Sequence, residues 1–143
     1  MIYEGIKLPD LKMESADLHI LPASNRPEFL LSLSGVLEIR GRALLADEDE
    51  VVNQVLNWID VYLDNPAEIT SVIIGFEYLN SFSTLILVNI LKKLSAVIQH
   101  PKKLVIRWFY EEDDDDIIER GQAISTIISC PIEFIQVRNI AIP

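Results

Sequence analysis

The stretch SVIIGFEYLNSFSTLILVNI, residues 71–90, passes from one kind of secondary structure to another within a few residues. Ser71 to Phe76 is rich in β-branched side chains and reads as a buried strand. From Ser81 to Ile98 the chain reads as a helix. Its first half is apolar on nearly every face (Leu85, Ile86, Leu87, Val88, Ile90, Leu91), which predicts packing on more than one side. Lys92, Lys93 and His100 suit its negative C-terminal end, and Pro101 stops it. Between them, Asn80 or Ser81 offers a side-chain oxygen to cap the free N–H groups of the first turn. A buried strand feeding directly into a buried helix is the core of a βα unit.

The same alternation extends in both directions. Upstream, Leu18, Ile20 and Leu21 form a short extended segment. Phe29–Leu33 and Val36–Arg40 then read as two strands of a hairpin turning at Ser34-Gly35, with Gly41 breaking the pattern. Asp47 and Glu50 have the spacing of a capping box. Val51, Val52, Val55, Leu56, Ile59, Tyr62 and Leu63 follow at helical intervals until Asn65-Pro66. Downstream, Leu104–Phe109 reads as a strand. The six acids Glu111–Asp116 lead into a helix carrying Ile117, Ile118, Ile124, Ile127 and Ile128, and Ile132–Val137 forms a last strand after Pro131. The expected fold is α/β and STAS-like: an N-terminal hairpin, then α-β-α-β-α-β, with helices packed on a mixed sheet. Residues 1–16 lack a clear period and read as an N-terminal extension to a single domain over 17–143.

Composition narrows the function. The 143 residues are half hydrophobic and carry a net charge of −10, so a packed core is expected and a phosphate-binding footprint is not. Neither nucleic acid nor an anionic membrane is an expected partner. The longest unbroken apolar runs are a few residues, so no membrane-spanning helix is expected. One cysteine, Cys130, rules out an intrachain disulfide and suits a reducing, cytoplasmic setting.

The residues of enzymatic chemistry are scattered. His19 and His100 stand in no metal-ligand spacing, and the five glycines are too dispersed for a phosphate loop. The acid run fails as a calcium loop, because the sixth residue from Asp113 is Ile118 where a glycine is required. It reads as a solvated lead-in to a helix, whose dipole favours negative charge. No cofactor, metal or catalytic residue is expected. Taken alone, a hydroxyl at the start of a helix is a cap. A serine there has a second use, because a phosphate adds nearly two negative charges where a helix start tolerates them.

Several short motifs in order resemble the SiaC family of bacterial regulatory phosphoproteins. They are Val36-Leu37-Glu38-Ile39-Arg40-Gly41-Arg42, the Trp58 helix, Tyr78-Leu79-Asn80-Ser81, Trp108-Phe109-Tyr110 leading into the acids, and Glu119-Arg120-Gly121-Gln122. The likeness runs from about Leu18 to Val137. It implies a non-enzymatic switch with the logic of anti-sigma-factor antagonists. A serine/threonine kinase of the anti-sigma type phosphorylates the start of the central helix, here Ser81, and a PP2C-like phosphatase reverses it. The unmodified protein binds a target, in the family a diguanylate cyclase that makes cyclic-di-GMP. Partner contacts are then expected at Tyr78, Asn80, Ser83, Thr84, Trp108, Tyr110, Asp113, Asp114 and Asp115. The chain departs from the family pattern in two places. Ala43-Leu44-Leu45-Ala46-Asp47 stands where the family carries Ser-Tyr-Pro-Glu-Asn, and Phe82 follows the acceptor where small hydroxyl residues are usual. The alternative is a constitutive interaction or scaffolding domain of the same fold, without phosphorylation.

Overall fold

A computed structural model describes residues 16–140, so the extension expected over 1–16 lies outside the described residues except for Ala16. The elements in chain order are β1 (Leu18–Ile20), β2 (Glu28–Leu31), β3 (Val36–Ala43), α1 (Glu50–Tyr62), β4 (Ile69–Leu79), α2 (Ser81–Leu94), β5 (Lys103–Glu111), α3 (Asp115–Ile128) and β6 (Glu133–Val137). One sheet holds all six strands in sequential order. β1, β2 and β3 pair antiparallel, and β3, β4, β5 and β6 run parallel. The mixed α/β sheet expected from the sequence is therefore observed, hairpin first.

Sequential order has a physical consequence. Parallel neighbours joined by crossovers of one hand place their helices on the same face. Accordingly α2 packs beside both α1 and α3. The core lies between that helical layer and one side of the sheet. Leu37 and Ile39 of β3, Val72, Ile74 and Phe76 of β4, and Ile106 and Trp108 of β5 alternate inward with period two. They meet Val55 and Ile59 of α1, Leu87 and Leu91 of α2, and Ile117 and Ile124 of α3. Each such side chain contributes about 1.5–3 kcal/mol by leaving water. The opposite face alternates polar and half-buried residues: Arg40 bonds Glu38 at 3.0 Å, and Arg107 bonds Glu133 at 3.1 Å.

Gly35 makes the hairpin turn. Its φ of +104° is open to glycine, and a Cβ there would run into the carbonyl oxygen of Ile69. That close approach lets Ser71 N–H donate to Gly35 O at 2.7 Å, which starts the parallel pairing of β3 with β4. The fold differs from the sequence-based expectations at several points. β3 continues through Gly41 to Ala43 with an irregular register at Gly41/Arg42, because pairing with β4 supplies the ladder that local propensity does not. Asp47 does not cap α1: the N-cap is Asp49, and it makes no side-chain cap bond. The long second helix ends at Leu94 and tightens into a 3-10 turn over Ser95–Gln99. It packs on more than one side, as expected, between α1 and α3, while Leu85 on its outer face is 67% exposed. By length and composition Ser81–Gln99 is apolar enough to cross a membrane, which unbroken apolar runs did not suggest. Here its Leu87, Ile90, Leu91 and Leu94 pack into the core, and a core helix has that composition for this reason.

Trp108 fixes α3. The indole is fully buried and its Nε1 donates to the carbonyl of Ile117 at 3.1 Å. The Phe76 ring meets it edge-on, with centroids 6.1 Å apart. Gly121 lies over the indole so closely that a Cβ there would stand 2.7 Å from both the Trp108 and Phe134 rings. Gly121→Ala gains about 1 kcal/mol of helix propensity but overpacks rigid rings, which costs about 1–3 kcal/mol. We expect lower stability in urea unfolding, with Gln122→Ala at the exposed neighbouring position near neutral. A Gly121→Ala variant more stable than the parent would contradict the close packing.

Candidate functional site

The carboxyl ends of the parallel strands gather the loop from β4 to α2 and the loop from β5 to α3, as open α/β sheets do. The first of these is held by Asn80. Its backbone N–H donates to Ala43 O at 3.0 Å, tying the end of β4 to the end of β3. Its extended backbone makes it the N-cap of α2, and its side-chain oxygen accepts from Ser83 N–H at 2.8 Å. The amide Nδ2 donates to Leu45 O at 3.2 Å. Asn80 is therefore the cap that the sequence divided between Asn80 and Ser81.

The three hydroxyls of the helix start stand in different environments. Ser83 is 3% exposed, and its Oγ accepts from Leu45 N–H at 2.9 Å. Thr84 is half-buried; its Oγ1 donates to the Asn80 carbonyl at 3.0 Å and accepts from Arg120 Nη1 at 3.3 Å. Ser81 is exposed and its hydroxyl has no hydrogen-bond partner among the described residues. One hydroxyl of the three is thus free, with the other two engaged as parts of the scaffold. The segment Ala43–Asp47, where the sequence leaves the family pattern, is tied to this start through both the N–H and the C=O of Leu45.

The second loop carries the acids. Asp114 caps α3, its Oδ1 accepting from Ile117 N–H at 3.1 Å. Asp113 and Asp115 are exposed, Asp114 and Tyr110 half-buried. Asp116 accepts from Arg120 Nε at 3.2 Å, one turn along the helix. Arg120 therefore joins the acid run to the start of α2. Glu111, Asp113 and Asp114 line a cleft of 520 Å³ with Gln136 and Arg138 at the end of β6. Among the described residues no three His, Cys, Asp or Glu side chains gather as a metal-ion set.

Two of the expected partner-contact residues lie inside the molecule. Trp108 is fully buried and anchors α3, and Ser83 pins the Leu45 backbone, so each supports the surface from beneath. The motif reading overlooked the alternation in β5, which puts Trp108 on the same side as Ile106. Tyr78 is 43% exposed, and the guanidinium of Arg42 lies 5.7 Å from its ring centroid. Asn80 is half-buried, and its polar atoms are committed within the fold. The sequence-based site omitted Arg120 and Arg42. The i,i+4 spacing of Asp116 and Arg120 was a readable sign of their pairing, but the contact with Thr84 depends on how two helices pack. The bonding predicts a contrast: Asn80→Ala should cost about 1 kcal/mol through loss of the cap, and Ser81→Ala should leave stability near that of the parent. Thermal or urea unfolding reads both, and equal losses would sink the assignment of the cap.

Comparison with known proteins gives one family. Among curated proteins, none matches the chain. Among solved structures, SiaC of Pseudomonas aeruginosa superposes with a TM-score of 0.70 at 22% identity, over 87% of this chain and 99% of that one. The crystal structure of apo-SiaC from the same organism gives 0.71 at 23% identity, over 85% and 98%. A structure of the diguanylate cyclase SiaD in complex with its activator SiaC, again from Pseudomonas aeruginosa, gives 0.77 at 22% identity, over 85% of this chain and 100% of that one. At such identity the likeness is one of fold. The model of the family described as SiaC family regulatory phosphoprotein matches residues 23–137, from the turn before β2 to the last residue of β6, and the chain belongs to that family.

Proposed function

We propose that this protein is a non-enzymatic, cytoplasmic regulator of a bacterial partner-switching pathway, controlled by reversible phosphorylation of Ser81. The observation that carries the reading is the free, exposed Ser81 hydroxyl at the first residue of α2, beside two hydroxyls already bonded within the fold. A serine/threonine kinase of the anti-sigma type supplies the phosphoryl group from ATP. The Ser81 oxygen attacks the γ-phosphorus, the bond to the bridging oxygen of ADP breaks, and the hydroxyl proton passes to a base on the kinase. A PP2C-like phosphatase returns the serine by delivering the phosphoryl group to water.

Unmodified, the start of α2 docks on a target, for which a diguanylate cyclase is the reading favoured by the family. The exposed Leu85 stands one turn below Ser81 and provides apolar contact. Phosphorylation places a dianion on this surface, close to Asp116, which shares the Arg120 guanidinium with Thr84. Desolvating it against an apolar partner, or facing it to an acidic one, weakens docking. A coupling of about 1–3 kcal/mol changes affinity by roughly 5–150-fold, enough for a switch. Constitutive binding by the same fold is the alternative, and Phe82 directly after the acceptor is the feature that favours it.

Incubation with the kinase and ATP, followed by peptide mass spectrometry, should place one phosphate on Ser81, and Ser81→Ala should take up none. Phosphate on another residue overturns the site, and none at all supports constitutive binding. Ser81→Asp should weaken target binding within the range above while leaving the unfolding transition in place; unchanged affinity would count against charge as the mechanism.

A further inference from the structure

We propose that Arg120 is the residue that receives the phosphate on Ser81, exchanging its present contacts for the phosphate oxygens. The inference rests on Ser81 as phosphoacceptor, and its test is built so that the two can fail separately. Arg120 reaches from α3 across to the first turn of α2, where its Nη1 donates to Thr84 Oγ1 at 3.3 Å. Ser81 stands one turn before Thr84 on the same flank of α2, a separation of about 5–6 Å between Cβ atoms for residues three apart. A phosphoryl group lengthens the Ser81 side chain by two bonds in a region where that side chain is exposed.

The guanidinium has capacity to spare. Of its five N–H donors, the bonds to Asp116 and Thr84 use Nε and one hydrogen of Nη1, and Nη2 has no protein acceptor among the described residues. Both present contacts are weak competitors. The ion pair with Asp116 is solvent-exposed on the carboxylate side, with Asp116 at 68% exposure, and such pairs contribute little. The Thr84 hydroxyl is a neutral acceptor whose proton is already committed to the Asn80 carbonyl. A phosphate offers two negative charges and bidentate geometry to the same fork. The other base near the loop, Arg42, is held over the Tyr78 ring on the face of the sheet turned away from the helices. The exchange ties α2 to α3 through a charged bond and releases Asp116, so the modification alters the acid run as well as the helix start.

Phosphoserine incorporated at position 81 during translation makes the test independent of any kinase. The reading is a 31P NMR titration of the phosphate's second ionisation in the intact protein, compared in the parent, Arg120→Gln and Arg120→Lys. A nearby guanidinium favours the dianion, so the parent should titrate lower than Arg120→Gln by about half a unit to one unit, an opposite-charge effect reduced by solvent. Arg120→Lys, which keeps charge and loses the fork, should fall between them. Thr84→Val removes the present acceptor but keeps the charge, and should titrate with the parent. Unphosphorylated Arg120→Gln should unfold within a degree or two of the parent, which separates phosphate binding from scaffold loss. Coincident titrations of the parent and Arg120→Gln overturn the inference even if kinases modify Ser81. A kinase that leaves Ser81 untouched overturns the regulatory reading while this titration still decides the role of Arg120.

Discussion

A buried tryptophan with a glycine laid on its face determines where the helical layer can sit. Trp108 projects from β5 into the core, and its indole N–H is satisfied only by the first turn of α3, at Ile117 O. An unpaired donor there would cost about 1–3 kcal/mol, so the helix start is held in place along the strand. Gly121 then lets the helix come to contact distance of the ring, and Phe134 of β6 closes the other side. Position along the strand and height above the sheet are thus set by two neighbouring turns of one helix. Arg120 precedes the contact glycine, and its guanidinium emerges between α3 and α2 because the backbone beside it has no room to rotate away.

At the other helix, a polar counterpart does the same work. Asn80 spends its N–H on β3, its side-chain oxygen on the α2 backbone and its amide on the Leu45 carbonyl, and Ser83 takes the Leu45 N–H. The chain from Ala43 to Leu45 and the first turn of α2 are therefore one bonded unit. Side chains that look available for recognition in the sequence are consumed in building it. Outside it, among the described residues, stand the Ser81 hydroxyl, the Leu85 and Tyr78 side chains and the exposed acids at the start of α3. A site for switching needs such an arrangement, a rigid mount with one free group on it, because a group already bonded must break that bond before it can be modified.

Local pattern carried most of the fold, since strand and helix periods are written in neighbouring residues. The hairpin turn at Gly35, the helix over Val51–Tyr62 and the alternation of strands with helices were all readable in this way. The continuation of β3 beyond Gly41 was not, because the residues of β4 that supply its ladder are 35 or 36 positions distant in sequence. Nor was the exposure of Leu85, since periodicity shows which residues are apolar and leaves open how many sides of a helix have a neighbour. The packing of a single helical layer against a sequentially ordered sheet leaves α2 with flanking helices and an uncovered outer face.

The site divides along the same line. Asn80 as cap and the acids at a helix start follow from rules that operate within a few residues, and the sequence reaches them. Burial of Trp108 was within reach too, because Leu104, Ile106 and Trp108 alternate with Val105, Arg107 and Phe109. Arg120 lay beyond it. Its neighbour Asp116 is four residues away, but Thr84 is 36 residues away, and the two meet only after both helices have docked. Residues that couple one element to another are read last for this reason. They are also where one helix is joined to the next, as the Arg120 guanidinium of α3 is joined to the Thr84 hydroxyl of α2.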